Sequence, residues 1–140
     1  VTRLVDMGVE PYLVSSSVIG VVAQRLMRRI CSNCREEYEP DHNLLRGLDL
    51  ADPKYADKKY YRGRGCEECK FLGYRGRIAI YEIMEMSEEL RELTVQRVPA
   101  SRIKNQALKE GMRTLRMNAL EKVHDGVSTI EELLRVTQEW

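Results

Sequence analysis

All four cysteines of this 140-residue chain fall into two pairs, Cys31-Ser-Asn-Cys34 and Cys66-Glu-Glu-Cys69. The C-x2-C spacing lets two thiolates point from one tight turn at a single ion. Two such turns close a four-sulfur shell around Zn2+, with Zn–S near ~2.3 Å. Residues 35–65 separate the pairs, a longer gap than the roughly 15–20 residues of the usual paired motif, so a folded excursion is expected between them. A closed shell leaves no open coordination position. The expected metal, zinc or iron, is therefore structural, with Cys31, Cys34, Cys66 and Cys69 as ligands. Its binding energy would be folding energy, on the order of 10 kcal/mol or more.

Other cysteine chemistries use the same residues. Two disulfides would suit a secreted domain, but no basic stretch, apolar run and small-residue cleavage site precede Cys31. A thioredoxin-like centre needs one pair beside a βαβ unit and has no use for the second. His42 and His124 are isolated in the sequence, and four cysteines leave neither needed as a ligand. Arg62, Arg64, Arg75 and Arg77 cluster around the second pair. They read either as a solvated loop offsetting the charge of a metal–thiolate centre or as a docking surface for an acidic partner or a phosphate.

Composition narrows the function classes. The chain is 43% apolar and 32% charged, with a net charge of +1, so no global field draws in nucleic acid or a membrane surface. One Trp and one Phe are few for base stacking. No apolar run approaches the ~20 residues a bilayer requires. The sequence contains no G-x-x-x-x-G-K-[ST], G-x-S-x-G or H-E-x-x-H, so it carries no evident catalytic constellation. It opens on Val, in mid-pattern, and reads as part of a longer protein.

The elements that must position the cysteines are predicted as follows. Thr2 to Met7 is a helical turn closed by Gly8. Val9 to Val14, interrupted by Pro11, is an edge strand or extended linker. Ser15, Ser16 and Ser17 offer an N-cap. A helix then runs from Val18 to Ile30, straight into Cys31, with Val18, Val22 and Leu26 on one stripe and Ile19, Ala23, Met27 and Ile30 on the next. Asp41 caps a short helix through Leu48; Lys59–Arg62 and Ile78–Met84 are strands. From Ser87 the pattern is helical, with breaks at Pro99, Gly111 and Gly126, and Ser128-Thr129-Ile130-Glu131 is a capping box for the last helix. Carboxylates at 88–89 and 131–132 suit helix N-termini and need no catalytic role. The fold class is α+β, predominantly α.

Several segments together resemble the bacterial type II secretion and type IV pilus assembly ATPases. They are Val1–Ser17, Ala23–Cys31, Cys66–Arg77 with Ile80-Tyr-Glu, and Gly126–Thr137. The order is intact and the likeness covers essentially the whole chain. The Met7–Leu13 wording leans towards type II secretion. The resemblance implies a C-terminal part of a hexameric RecA-like motor. Residues 1–30 would be the tail of the ATPase core, 31–86 a tetracysteine zinc module, and 87–140 a C-terminal helical region forming a bundle. The nucleotide-binding motifs would lie upstream, so ATP and Mg2+ belong to the parent protein and the segment itself is not an enzyme. Implied partners are neighbouring ATPase subunits and the inner-membrane platform protein, at the cytoplasmic face and with neither direct membrane insertion nor nucleic acid. On this reading the Val18–Ile30 element is a rigid link between the core and a zinc-stiffened arm. Rival functions are a nucleic-acid-binding zinc ribbon, which would want a basic face with more aromatics than Tyr60, Tyr61 and Tyr74, and a stand-alone adaptor without an ATPase parent.

Overall fold

Pro11 begins a helix rather than interrupting a strand. Its fixed φ suits the first helical position, where no amide is needed, and Glu10 before it takes the extended backbone of an N-cap. In the computed structural model, which describes residues 1–41, 45 and 57–137, the first helices are α1 (Thr2–Asp6) and α2 (Pro11–Ser17). Gly8, at φ +93°, makes the turn between them. The expected extended segment at 9–14 is thus mostly helical, and Ser15–Ser17 finish α2 rather than cap a following helix.

The largest departure from expectation follows. Residues Gly20–Ile30 form strand β1, not a helix. The supposed apolar face does not turn inward: Ile19 is 84% exposed, Val22 62% and Leu26 45%, whereas Met27 and Ile30 are buried. The physical reason is competition for the backbone. β-Branched residues at 18, 19, 21 and 22 lose side-chain freedom in a helix and fit a pleated strand. A long partner strand, out of reach of local pattern, is available for pairing.

That partner is β4 (Tyr74–Glu85). Between the two lie β2 (Arg35–Tyr38) and β3 (Tyr60–Gly63), an antiparallel ribbon in which Arg35 faces Gly63 and Tyr38 faces Tyr60. Strand expectations at 59–62 and 78–84 are met within a residue or a few. The helix expected from Asp41 to Leu48 lies largely outside the described residues, as does His42. Then come α3 (Glu88–Val95), α4 (Ala100–Lys109), α5 (Leu115–His124) and α6 (Ile130–Thr137). The class is mixed α and β, with six α-helices and two two-stranded sheets among the described residues.

The chain forms two compact units. The first comprises residues 1–24 and 81–115. Its core is Met86, Leu90, Ile103 and Ala107, with Val18, Leu93, Val98 and Met112 packed around them. Ser87 caps α3 by accepting the amide of Leu90 at 3.2 Å, and α3 packs against α2 and α4. The Arg91 guanidinium donates to the carbonyl of Ser15.

The second unit comprises 25–80 and the residues from 116 on. It buries Met27, Ile30, Ile80, Ala119, Val123, Ile130, Leu133 and Val136, together with the four-cysteine cluster. The four helices after Ser87 therefore divide between the units: α3 and α4 belong to the first, and α6 and all of α5 after Leu115 to the second. Among the described residues no helix is long and apolar enough to cross a membrane.

Candidate metal centre

Strand β1 ends at Ile30, so its next residue, Cys31, leaves the sheet on a fixed heading. The first knuckle closes when the amide of Cys34 donates to the carbonyl of Cys31 at 3.3 Å. The second is a single 3-10 turn, Glu67–Cys69, preceded by Cys66 in extended backbone and followed by Lys70 in the left-handed region. In it the Cys66 amide donates to Cys69 Sγ at 3.2 Å. Each knuckle is also tied to the other's flank. The Cys31 amide donates to the Gly73 carbonyl, and the Arg64 amide to the Cys34 carbonyl, both at 2.9 Å.

Two glycines permit that closeness. A Cβ on Gly63 would lie 2.0 Å from the Gly73 carbonyl oxygen, and one on Gly73, at φ +75°, 2.5 Å from that of Gly63. Neither position has room for a side chain.

The four Sγ atoms lie within 4.8 Å of one another. Cys31–Cys66 is 3.8 Å, Cys34–Cys69 3.9 Å and Cys66–Cys69 3.7 Å. All four cysteines are free, and these separations are far beyond the ~2.05 Å of a disulfide. A regular tetrahedron with ~2.3 Å metal–sulfur bonds has edges of about 3.8 Å. The donor set and its spacing therefore fit a four-coordinate thiophilic ion. Three cysteines are buried and Cys66 is partly exposed.

Hydrogen bonds aimed at the sulfurs favour thiolates. Asn33 Nδ2 donates to Cys66 Sγ, Gly65 N to Cys34 Sγ and Gly73 N to Cys69 Sγ, each at 3.3 Å. The Asn33 amide is the main cause that draws Cys66 down to about 6, whereas burial pushes Cys34 up to about 12. Four negative sulfurs this close repel one another. Without a cation some must keep their protons, and metal binding would release them.

The arginines anticipated as a docking patch have partners of their own in two cases. Arg62 pairs with Glu36 directly across the ribbon at 2.9 Å and stacks 5.3 Å from the Tyr38 ring. Arg75 pairs with Glu68 at 2.7 Å. Arg64 and Arg77 are exposed. His124 lies apart from the cysteines, edge-on to Tyr60 with ring centroids 6.0 Å apart, and burial lowers its pKa.

Pattern reading missed the residues around Val127–Glu132. The cap falls one residue later than expected: Thr129 Oγ1 accepts the amide of Glu132 at 3.2 Å, while the Glu132 carboxylate bonds Arg28 and Arg135 instead of completing a capping box. Ser128 Oγ instead donates to the Arg28 carbonyl at 2.8 Å, and Glu131 accepts from Tyr38 Oη at 3.2 Å. Glu132 is fully buried and receives the Arg28 amide at 2.8 Å, Arg28 Nε at 2.7 Å, and Arg135 Nε and Nη2 at 2.7 and 2.8 Å. Burial alone would raise its pKa, but the hydrogen bonds from Arg135 and Arg28 outweigh that and hold it at about 2. The available signal was Thr129-x-x-Glu132, the same S/T-x-x-E pattern shifted by one residue.

A family model described as "Type II/IV secretion system protein" matches residues 1–135. The type IV pilus assembly ATPase PilB of Thermus thermophilus is 43% identical over 139 residues, covering 99% of this chain and 16% of that protein. The type II secretion system protein E of Pseudomonas aeruginosa is also 43% identical, over 141 residues, covering 99% and 27%. The type II secretion system ATPase E of Vibrio cholerae is 41% identical over 143 residues, again 99% and 27%. The chain thus spans between 16% and 27% of the length of these three relatives.

Proposed function

The chain belongs to the type II/IV secretion system protein family, and from that premise we propose that it is the zinc-stabilised C-terminal region of a hexameric secretion ATPase. The observation that carries the reading is the four-sulfur cluster, spaced for one tetrahedral ion, in a chain the family model matches almost end to end. Zn2+ would be held by Cys31, Cys34, Cys66 and Cys69 and would supply rigidity rather than chemistry, because four thiolates fill its shell. Residues 35–65 offer few apolar groups, so a metal is a more effective clamp there than a core.

In this reading ATP is bound and hydrolysed elsewhere in the parent protein, at the cytoplasmic face of the inner membrane, and the present segment hydrolyses none. Its role is mechanical. Residues 1–30 belong with the motor core, 31–86 form the zinc module and 87–140 the helical region. Together they pass subunit motion to neighbouring subunits and to the inner-membrane platform protein that drives pseudopilus assembly. The link into the module is a strand, since β1 runs without a break into Cys31. Arg62, Arg64, Arg75 and Arg77, all exposed, are the candidate partner surface, with Arg62 and Arg75 already paired to Glu36 and Glu68.

A type IV pilus parent is the second reading, favoured by the PilB relative at the same 43% identity as the type II protein. Elemental analysis of the chain purified in reducing buffer tests the central claim. One zinc per chain, with four alkylatable thiols after metal removal, is expected. Absence of stoichiometric metal together with disulfide-linked peptides in mass spectra would overturn it.

A further inference from the structure

A single turn of chain, Val127–Glu132, touches both strand ends that deliver the cysteine pairs. On the β1 side, the Val127 carbonyl accepts the Ile30 amide at 2.9 Å, Ser128 Oγ donates to the Arg28 carbonyl, and Glu132 takes the Arg28 amide and guanidinium. Arg28 is three residues before Cys31 and Ile30 is its neighbour. On the β4 side, Thr129 Oγ1 and Tyr74 Oη are 2.7 Å apart. Tyr74 follows Gly73, whose amide donates to Cys69 Sγ and whose carbonyl accepts the Cys31 amide. The two sides are joined again by the Arg28 guanidinium, 4.2 Å from the centre of the Tyr74 ring.

We propose that this turn is the positioning element of the metal centre, with Glu132 as its principal residue: it sets the separation and register of the two strand ends, and so of the two cysteine pairs. The inference rests on the metal reading above and extends it to residues that offer no ligand atom to the ion. A buried carboxylate is costly, and a well-packed apolar residue in its place is often neutral for stability. What an apolar residue cannot do is fix a neighbouring strand's amide and guanidinium together. Glu132 does both, and Arg135 on the same helix holds the carboxylate plane. The arrangement acts on the sulfurs as outer residues act on metal ligands elsewhere, through orientation.

The test uses the 140-residue chain loaded with Zn2+, with Co2+ as a second, spectroscopic probe. Chelator competition should show Glu132→Gln weakening Zn2+ affinity by ~10-fold, with the Co2+ ligand-field bands displaced from those of the wild type. Tyr74→Phe, which removes only the bond to Thr129, should act in the same direction and less; it serves where Glu132→Gln does not fold. Leu133→Ala destabilises the same helix from its buried apolar side and should leave affinity in the folded chain and the Co2+ spectrum unchanged. Wild-type affinity in both Glu132→Gln and Tyr74→Phe, or an equal loss in Leu133→Ala, overturns the positioning role. A wild-type chain that takes up neither metal overturns the metal reading itself.

Discussion

The two units solve one problem by different means. The first closes around Met86, Leu90, Ile103 and Ala107, an ordinary apolar core under helices with conventional ends. The second gathers four sulfurs, a buried carboxylate and two glycines that touch backbone to backbone. In the first, stability is spread over many weak contacts and should decline by degrees. The second has an apolar core too, around Met27, Ile80, Ile130 and Leu133, but around the sulfurs and Glu132 it adds a few directional bonds, where the loss of one partner leaves the others unsatisfied.

The sharpest way to break the contrast is to remove a ligand. Cys34→Ser, or exhaustive chelation, should abolish ordered structure around residues 31–37 and 60–75, because metal binding there is worth on the order of 10 kcal/mol. Hydrogen exchange should show amides such as Cys31, Arg64 and Gly73 losing protection while those of α3 and α4 keep theirs. Equal loss in both regions would erase the difference between the two units.

Leu90→Ala probes the other side. Leu90 is fully buried, and its truncation should cost about 3 kcal/mol in denaturant unfolding. Metal stoichiometry of the variant folded in buffer should stay unchanged.

Titration of Glu132 gives the smallest effect, read as the difference between wild type and Glu132→Gln because acid also protonates the thiolates and releases the metal. Glu132 sits at about 2 in the folded chain against an ordinary 4.5, so its stabilisation is fully present above about 4.5 and is lost as pH falls towards 2. Its partners Arg28 and Arg135 are about half exposed, which screens the pairing, so about 2 kcal/mol is expected. Glu132→Gln should flatten that part of the stability–pH curve; an unchanged slope would count against it.

What could be read from the sequence follows the same division. The helices from 88 to 137 were legible because their signals are local: Ser87 as cap, Pro99 as break, glycines at 111 and 126. The cysteine cluster was legible because spacing within each pair is itself geometry. Strand β1 was not, since apolar residues at 23, 27 and 30 have helical spacing, and only the distant β4 decides against a helix. Nor was the role of Glu132, whose main partner is 104 positions away. Arg28 lies within the expected Val18–Ile30 helix, and its true partner leaves no trace in any short window.

The β2–β3 register has one more consequence. With Tyr38 opposite Tyr60, the two ends of the segment 39–59 are held one strand-spacing apart. Its contour length is thereby decoupled from the sulfur geometry. Evolution, or an engineer, can lengthen, trim or replace that insert while the four thiols keep their places, making it a natural port for grafting a tag or a recognition peptide.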